Sequence, residues 1–333
     1  MDSNEIMTVK NERARGYFTR LFLAVMLLTL VNFGIQLGVA YLFAYKFTEI
    51  YDSWWFTWIL SLVPLYCIAL PLFMLVLPKN DIPLPQKEKL SAPGVLLALL
   101  ISLATMGVSN YVSFFIVEAI RMLSRDLLFS RDALNEIISD TPIYVTVLAT
   151  CVIAPIGEEF IFRKLLIDRT LPFGELSSCL ISGILFGLFH GNLRQAIYAS
   201  ALGFVLAYVY VKTRNIIYPI IMHAAVNLCG AVIAPAIANF GTEGLTAIEN
   251  GDITVQSVIA ILLLLGFFAV GGAVVIGGIV ATVVMLCKKK IRFTPPTVAL
   301  DVGRLGVTVI NNPGAIALLC VFASIIIRSA VIK

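Results

Sequence analysis

The stretch GEEFIFRKLLIDRTLPFGELSSCLISGILFGLFH, residues 157–190, decides the fold of this chain. It contains two mainly apolar runs on either side of a turn near Pro172–Glu175, which predicts an antiparallel pair of helices. The first run carries two glutamates and an arginine, and the second ends in a histidine. Ionisable side chains are costly in hydrocarbon, so each of them is a functional-site hypothesis by default.

The rest of the chain is also strongly apolar. Hydrophobic residues make up 59% of the 333 residues, and charged residues make up 13%. Proteins on average have roughly 45–50% apolar and about 25% charged residues, so this composition excludes a soluble protein and predicts an integral membrane protein. The net charge of +4 arises from basic residues in loops between apolar runs, so we expect no nucleic-acid partner.

Runs of about 20 apolar residues can cross a bilayer as helices. Candidate spans lie at 18–44, 54–77, 93–119, 142–166, 176–191, 195–211, 215–235, 255–286 and 314–331. The last of them contains Arg328, so we predict an all-α, polytopic transmembrane helical bundle of eight or nine membrane helices. We expect a loop at 236–254, and the span 255–286 is long enough to be tilted or to break near Gly271-Gly272.

The distribution of positive charge predicts the orientation of the chain. With the N-terminus inside and nine alternating spans, most of the 24 Lys and Arg residues fall in inner segments. This distribution satisfies the positive-inside rule, so we expect a cytoplasmic N-terminus. Segments 79–92 and 121–140 mix charge with large apolar residues, and each is either an amphipathic surface segment or an ordinary loop.

The two adjacent glutamates are predicted to have different environments. Glu159 and Arg163 are four residues apart, so on a helix they share a face and can form an ion pair. Glu158 is rotated by about 100° from Glu159 and points elsewhere. One acid is therefore neutralised, and the other is free to serve as a general base. The alternative for Glu159 and Arg163 is a purely structural ion pair.

His190 is predicted to lie level with Glu158. The turn near Pro172–Glu175 is about 15 residues from each of them, so a rise of about 1.5 Å per residue brings the two side chains to a similar depth. Phe186 is four residues before His190, and Gly183 and Gly187 allow a neighbouring helix to approach closely. The alternative role for His190 is a hydrogen-bonded packing residue.

His223 and Asn227 repeat the spacing of four, after a turn at Lys212–Asn215. Both side chains then face one way from their helix. Both can donate hydrogen bonds, so together they could stabilise a developing negative oxygen as an oxyanion hole. The alternative is a polar contact between helices.

Signatures of other site types are missing from the sequence. The six cysteines contain no CxxC pair, so neither a disulfide framework nor a cysteine metal site is indicated. There is no HExxH zinc motif and no GxSxG serine elbow. No pair of aspartates lies within the apolar spans.

Three motifs together resemble a known family. GEEFIFR (157–163), FGLFH (186–190) and HAAVN (223–227) are similar, in order, to the EExxxR, FxxxH and HxxxN motifs of the CAAX protease and bacteriocin-processing (CPBP) family. That family includes type II CAAX prenyl endopeptidases and bacterial Abi-type membrane proteins. The resemblance covers residues from about 140 to 235 and uses both histidines of the chain.

The resemblance implies an intramembrane endopeptidase that acts on a membrane-associated peptide or protein. Glu158 would activate a water molecule with help from His190, and His223 with Asn227 would stabilise the tetrahedral oxyanion. The residues that would support the site are Glu159, Arg163 and Phe186. The expected partners are membrane lipid and a peptide or protein substrate, and the expected location is a bacterial plasma membrane.

The resemblance leaves metal dependence open. We favour catalysis without a cofactor, because Asn227 one turn from His223 suits an oxyanion role. The alternative is a zinc metalloprotease, since a catalytic zinc takes three protein ligands and an open position. Its ligands would be Glu158, His190 and His223.

The predicted division of the chain is an N-terminal set of membrane helices and surface segments (1–135), a catalytic helical core (136–240) and C-terminal membrane helices (241–333). The main rival function is a non-catalytic membrane protein of the same fold, such as a bacteriocin immunity factor or a scaffold. A transporter is a weaker rival, because it predicts inverted repeats that the sequence does not show.

Overall fold

The computed structural model describes residues 7–9, 11–79, 84, 89–124, 141–296, 298–300 and 305–331. The main helices are α1 (Asn11–Lys46), α2 (Trp54–Val76), α3 (Ala92–Leu123), α4 (Ile143–Phe173), α5 (Glu175–Leu188), α6 (Leu193–Thr213), α7 (Ile217–Glu249), α8 (Val255–Cys287) and α9 (Pro313–Val331). Two short helices, Thr48–Tyr51 and Leu305–Ile310, lie between them. The fold is therefore an all-α polytopic bundle, as predicted.

Eight of these helices are long and apolar enough to cross a membrane, and α5 is the exception. α5 has 14 residues, so it extends only about 21 Å, against the roughly 30 Å of a bilayer core. The span predicted at 176–191 is thus an apolar helix of less than full length. The final helix, whose insertion the sequence left open, has 19 residues and belongs to the long set.

One other sequence-based expectation is wrong, and one of two open alternatives is excluded. The predicted loop at 236–254 is mostly helical, because α7 continues to Glu249. The segment carries the charged residues Glu243 and Glu249, but polar residues do not end a helix whose backbone hydrogen bonds stay satisfied. Of the two alternatives for the long span 255–286, a break near Gly271-Gly272 is excluded, since α8 runs unbroken from Val255 to Cys287, and a tilt stays a prediction. Of the predicted surface segments, 79, 84 and 89–92 and the helix end at 121–124 are described, and the remainder lies outside the described residues.

One end of the bundle is held together by contacts between segments distant in sequence. The Tyr17 hydroxyl donates to the Arg169 carbonyl oxygen at 3.1 Å. Lys212 Nζ lies 2.7 Å from Glu175 Oε2, and the Thr294 amide donates to the same oxygen at 2.8 Å. We call this the basic end, since it carries Arg15, Arg169, Lys212, Arg214, Lys288, Lys289, Lys290 and Arg292.

A pair of short strands adds to the basic end. Strand β1 (Met7–Val9) pairs in parallel with β2 (Val298–Leu300), with Thr8 opposite Ala299. At the start of α9, the Asn312 side-chain amide donates to the Arg15 carbonyl oxygen at 3.0 Å. The strand pair and the start of α9 therefore lie beside the start of α1.

Helices α5 and α6 form the antiparallel hairpin that positions the site. α4 ends at Phe173 and α5 begins at Glu175, so the predicted turn is confirmed. A Cβ added to Gly183 would lie 2.8 Å from the Phe204 backbone nitrogen, and one added to Gly187 would lie 2.3 Å from the Ala196 carbonyl oxygen. The two glycines are therefore required for the close approach of α5 to α6.

Candidate active site

A fully buried ion pair anchors the site. Glu159 Oε2 lies 2.7 Å from Arg163 Nε, and both side chains have 0% exposure. Arg163 Nη2 also donates to Glu159 Oε1 at 3.2 Å. The ion pair predicted from the spacing of four is therefore present. Breaking such a buried pair would leave an uncompensated charge, so each partner requires the other.

Arg163 also connects α4 to α5. Its Nη1 donates to Ser182 Oγ at 2.7 Å, and Ser182 in turn donates to the Phe162 carbonyl oxygen at 2.8 Å. The guanidinium carbon lies 4.8 Å from the centre of the Phe186 ring, a cation–π distance. These contacts thus fix the relative position of α4 and α5 next to the site.

His223 lies between the two glutamates. Its Nδ1 is 2.9 Å from Glu159 Oε1, and its Nε2 is 3.8 Å from Glu158 Oε2. The His223 side chain is 4% exposed and that of Glu158 is 18% exposed. Glu159 is a hydrogen-bond acceptor because it is ionised against Arg163, so the proton of a neutral His223 ring resides on Nδ1. Nε2 of the ring then faces the more accessible Glu158.

His190 is anchored in a similar way. Its Nδ1 is 2.8 Å from the Phe186 carbonyl oxygen, so Nδ1 is the donor and Nε2 is left as an acceptor in the neutral ring. The Phe186 ring contacts both imidazoles edge to face, at 5.1 Å from His190 and 5.5 Å from His223 between ring centres. The two histidines therefore share one pocket around Phe186.

Asn227 is tied to the neighbouring helix. Its Nδ2 donates to the Thr150 carbonyl oxygen at 2.7 Å, which joins α7 to α4. A side-chain amide nitrogen has two N–H groups, so one donor remains for another acceptor. Asn227 thus makes the helix-to-helix contact that was the alternative prediction, and it keeps the donor that the oxyanion prediction requires.

The backbone around these residues departs from regular α-helix. Wider, π-helical turns occupy Val147–Ile153, Phe160–Ile167 and Leu228–Ile233. They lie before and after the two glutamates and directly after Asn227. Such turns are rare in proteins, and those that occur are often found at functional sites.

Tyr66 of α2 closes one side of the site. A Cβ added to Gly157 would lie 2.1 Å from Tyr66 Cε1, so the tyrosine ring lies against the backbone beside Glu158. The Tyr66 hydroxyl donates to the Ala154 carbonyl oxygen at 3.5 Å. Sequence analysis missed Tyr66, Ser182 and Thr150, because none of them belongs to a motif and each reaches the site only through helix packing.

A metal site is not assembled in the described part of the chain. No group of three or more His, Cys, Asp or Glu side chains there has an arrangement that could hold a metal ion. Metal dependence stays a prediction, with Glu158, His190 and His223 as the ligands of the zinc alternative.

Comparisons with known proteins agree with the motifs. Residues 140–229 match the family model described as type II CAAX prenyl endopeptidase Rce1-like. This range contains all three motifs, so the resemblance to the CPBP family is confirmed for the core of the chain. No solved structure matches the chain.

Two bacterial proteins are similar to parts of the chain. One, from Bacillus subtilis (strain 168), is named "Putative membrane peptidase YdiL" and is 27% identical over 168 residues, which cover 48% of this chain and 65% of that protein. The other, "UPF0177 protein YxdF" from Lactococcus lactis subsp. lactis (strain IL1403), is 28% identical over 127 residues, 37% of this chain and 67% of that protein. The chain thus spans just under two thirds of the first relative. At the level of the family, these matches support a membrane protease.

Proposed function

We propose, from the match of residues 140–229 to the type II CAAX endopeptidase model, that this protein is an intramembrane endopeptidase in which Glu158 activates water. One observation carries the proposal. Glu158, the more accessible of the two glutamates, faces a histidine whose other ring nitrogen is held by the buried Glu159–Arg163 pair. A free carboxylate beside a fixed imidazole is an arrangement suited to general base catalysis.

In the attack step, a water molecule loses a proton to the Glu158 carboxylate while its oxygen adds to the carbonyl carbon of the scissile peptide bond. His190 orients that water, since its Nε2 can accept a hydrogen bond while Nδ1 is bound to the Phe186 carbonyl oxygen. The reaction converts the carbonyl group into a tetrahedral oxyanion, whose negative charge requires hydrogen-bond donors.

The second N–H of Asn227 and Nε2–H of His223 supply those donors. Because Nδ1 of His223 donates to Glu159, Nε2 can donate only when the ring carries protons on both nitrogens. The Glu159 carboxylate compensates the positive charge of that ring at Nδ1, and the oxyanion itself compensates it at Nε2 once Glu158 has taken the proton of the water. When the tetrahedral intermediate collapses, the C–N bond breaks and Glu158 returns its proton to the leaving amine. The products are a free carboxyl terminus and a free amino terminus.

The proposal includes an orientation and a substrate class. The basic end would face the cytoplasm of a bacterial cell, because positively charged segments stay inside. The substrate would be a peptide or a protein segment at the membrane, with lipid as the surrounding partner. Zinc dependence is the alternative to this mechanism, and chelation tests it.

Comparative peptidomics tests the proposed function. Membranes from cells that carry the wild-type protein are compared with membranes that carry Glu158→Gln at equal abundance. Peptides that appear only with the wild type identify cleavage sites, and the purified full-length protein should cleave a synthetic peptide that spans such a site. An identical peptide profile in the two membranes would contradict the protease and favour the non-catalytic immunity or scaffold function.

A further inference from the structure

A groove with a volume of about 380 Å³ lies between α5 and α9, and its described lining contains no residue of the candidate active site. The buried side chains of the lining come from α1, α5 and α9 and form the floor: Phe22, Ile181, Leu185 and Leu318. The exposed side chains of the lining form the two edges: Leu180, Ile184, Ile310 and Leu319. The groove is therefore apolar at its floor and open along one side.

The groove opens to hydrocarbon rather than to water, because its exposed edges belong to apolar helices of a membrane bundle. Ser177, a polar residue of the lining, donates its hydroxyl to the Gly174 carbonyl oxygen at 2.9 Å, so this donor is already used. From Ser177 to Leu185 the lining follows α5 for eight residues, or about 12 Å of helix. An occupant of the groove must therefore be apolar over that length.

The end of the groove nearest the basic end carries a positive charge. Ile310 of the lining is followed by Asn311, whose carbonyl oxygen accepts a hydrogen bond from Arg15 Nη2 at 3.3 Å. Arg15 and Phe22 are seven residues apart, which places them on one face of α1 about 10 Å from each other. The Arg15 side chain is exposed, and among the described residues its guanidinium makes this one hydrogen bond. Its remaining N–H donors can therefore bind an anion at the mouth of the groove.

The start of α9 adds to the positive potential at the same place. α9 has 19 residues and begins at Pro313, and Asn312 Oδ1 caps it by accepting a hydrogen bond from the Gly314 amide at 2.9 Å. Ala315, in the first turn, lines the groove. The amino-terminal end of a helix attracts negative charge, and Arg15 beside it does the same.

We propose that this groove binds one anionic glycerophospholipid of the surrounding membrane. Its phosphate binds at Arg15 and the start of α9, and one acyl chain lies along the floor beside Phe22 and Ile181. A single lipid thus satisfies both features of the groove, the cationic mouth and the apolar floor behind it. The bound lipid fills the space between α9 and α5, the helix that leads to His190. This site goes beyond the proposed peptidase function and does not depend on it.

Thermal unfolding of the purified full-length protein tests the proposal, after co-purified lipid has been washed out in mild detergent. The probes are dioleoylphosphatidylglycerol, which is anionic, dioleoylphosphatidylcholine, which has the same chains and no net charge, and inorganic phosphate. A ligand that binds only the folded state raises its stability, so phosphatidylglycerol should raise the unfolding temperature by several degrees. Phosphatidylcholine should raise it less, and phosphate should leave it unchanged.

Two variants with matched controls locate the effect. Arg15→Gln removes the charge at the mouth, and Arg20→Gln removes an exposed charge about 140° further round the same helix. Ala315→Phe fills the groove, and Ala323→Phe adds the same ring at an exposed position about two turns further along α9. The extra stabilisation by phosphatidylglycerol over phosphatidylcholine should disappear in Arg15→Gln and Ala315→Phe and persist in both controls.

Equal stabilisation of the wild type by the two lipids would overturn the proposal, and so would an undiminished preference for phosphatidylglycerol in Arg15→Gln. A shift with inorganic phosphate as large as that with phosphatidylglycerol would also overturn it, because the groove would then have no part in binding. Sedimentation in detergent covers the remaining occupant. A wild-type dimer that Ala315→Phe converts into a monomer would mean that a second copy of the chain, rather than a lipid, covers the groove.

Discussion

His223 Nδ1 lies 2.9 Å from Glu159 Oε1, and this contact determines what the other ring nitrogen can do. Glu159 can only accept, because its carboxylate is ionised against Arg163 in a fully buried pair. The motif spacing suggested that a neutral histidine beside Asn227 could donate to an oxyanion. The geometry adds a condition, since Nε2 of His223 donates only in the doubly protonated ring.

Glu158→Gln should abolish cleavage and leave the fold intact. Glutamine preserves the shape of the side chain but removes its ability to accept a proton, and general base catalysis contributes roughly 10²–10⁴-fold in rate. The side chain is partly exposed, and its only close charged contact in the described structure is His223 at 3.8 Å. The measurement is the cleavage rate of purified protein, together with thermal unfolding in detergent.

Glu243→Gln, an exposed residue on the outer part of α7, is the matched control and should retain wild-type activity. Full activity of Glu158→Gln would remove the general base assignment and transfer the role to another group.

The buried pair should behave as a unit. Arg163→Met removes the guanidinium and leaves the Glu159 charge buried beside His223, which should destabilise the protein by about 3–5 kcal/mol. In the double variant with Glu159→Gln no buried charge remains unpaired, so much of that stability should return. The free energy of unfolding of both variants is measured by adding increasing amounts of sodium dodecyl sulfate to the protein in mild detergent micelles.

Equal destabilisation by the single and double variants would mean that the hydrogen bond to Ser182 and the contact with Phe186, rather than the ion pair, account for the loss. Neither variant should cleave substrate, because Glu159 orients His223 in the wild type, and the double variant replaces Glu159 while the single variant leaves it without Arg163.

Sequence alone predicted what lies within one helix or one hairpin. The Glu159–Arg163 pair and the turn before Glu175 follow from helical spacing and from the apolar pattern, and both are present. The contact between Glu159 and His223 joins residues 64 positions apart, and no periodicity encodes it. Tyr66 was missed for the same reason, because it reaches Gly157 only through the packing of α2 on α4.

Helix ends were predicted less well than helix existence. The apolar pattern marks the part of a helix that lies in lipid, whereas α7 continues into a polar segment as far as Glu249. The break near Gly271-Gly272, one of the two alternatives for this span, is absent. Glycine lowers helix stability, but a chain in lipid must satisfy its backbone hydrogen bonds internally, so the helix persists.

Metal removal separates the two proposed mechanisms. If Glu158 works without zinc, 1,10-phenanthroline should leave the cleavage rate unchanged, and elemental analysis of the purified protein should find far less than one zinc per chain. Loss of activity on chelation, with recovery on adding zinc, would favour the metalloprotease alternative with Glu158, His190 and His223 as ligands. A non-chelating isomer, 1,7-phenanthroline, controls for inhibition by the ring system itself.

Gly187→Ala should abolish the proposed cleavage activity by moving α5 away from α6. The added methyl group would lie 2.3 Å from the Ala196 carbonyl oxygen and 2.1 Å from Ser200 Oγ, so the helices must separate. Overpacking of this kind lowers the free energy of unfolding by about 1–3 kcal/mol. The shift of α5 also displaces His190, which lies one turn after Gly187. Adding Ser200→Ala should restore little activity, because the clash with the Ala196 backbone remains.

Gly266→Ala is the matched control, since a Cβ there meets nothing within 4 Å. The stability against unfolding in detergent and the cleavage rate should both fall for Gly187→Ala and stay unchanged for Gly266→Ala. Wild-type activity in Gly187→Ala would mean that the position of His190 does not depend on this helix contact.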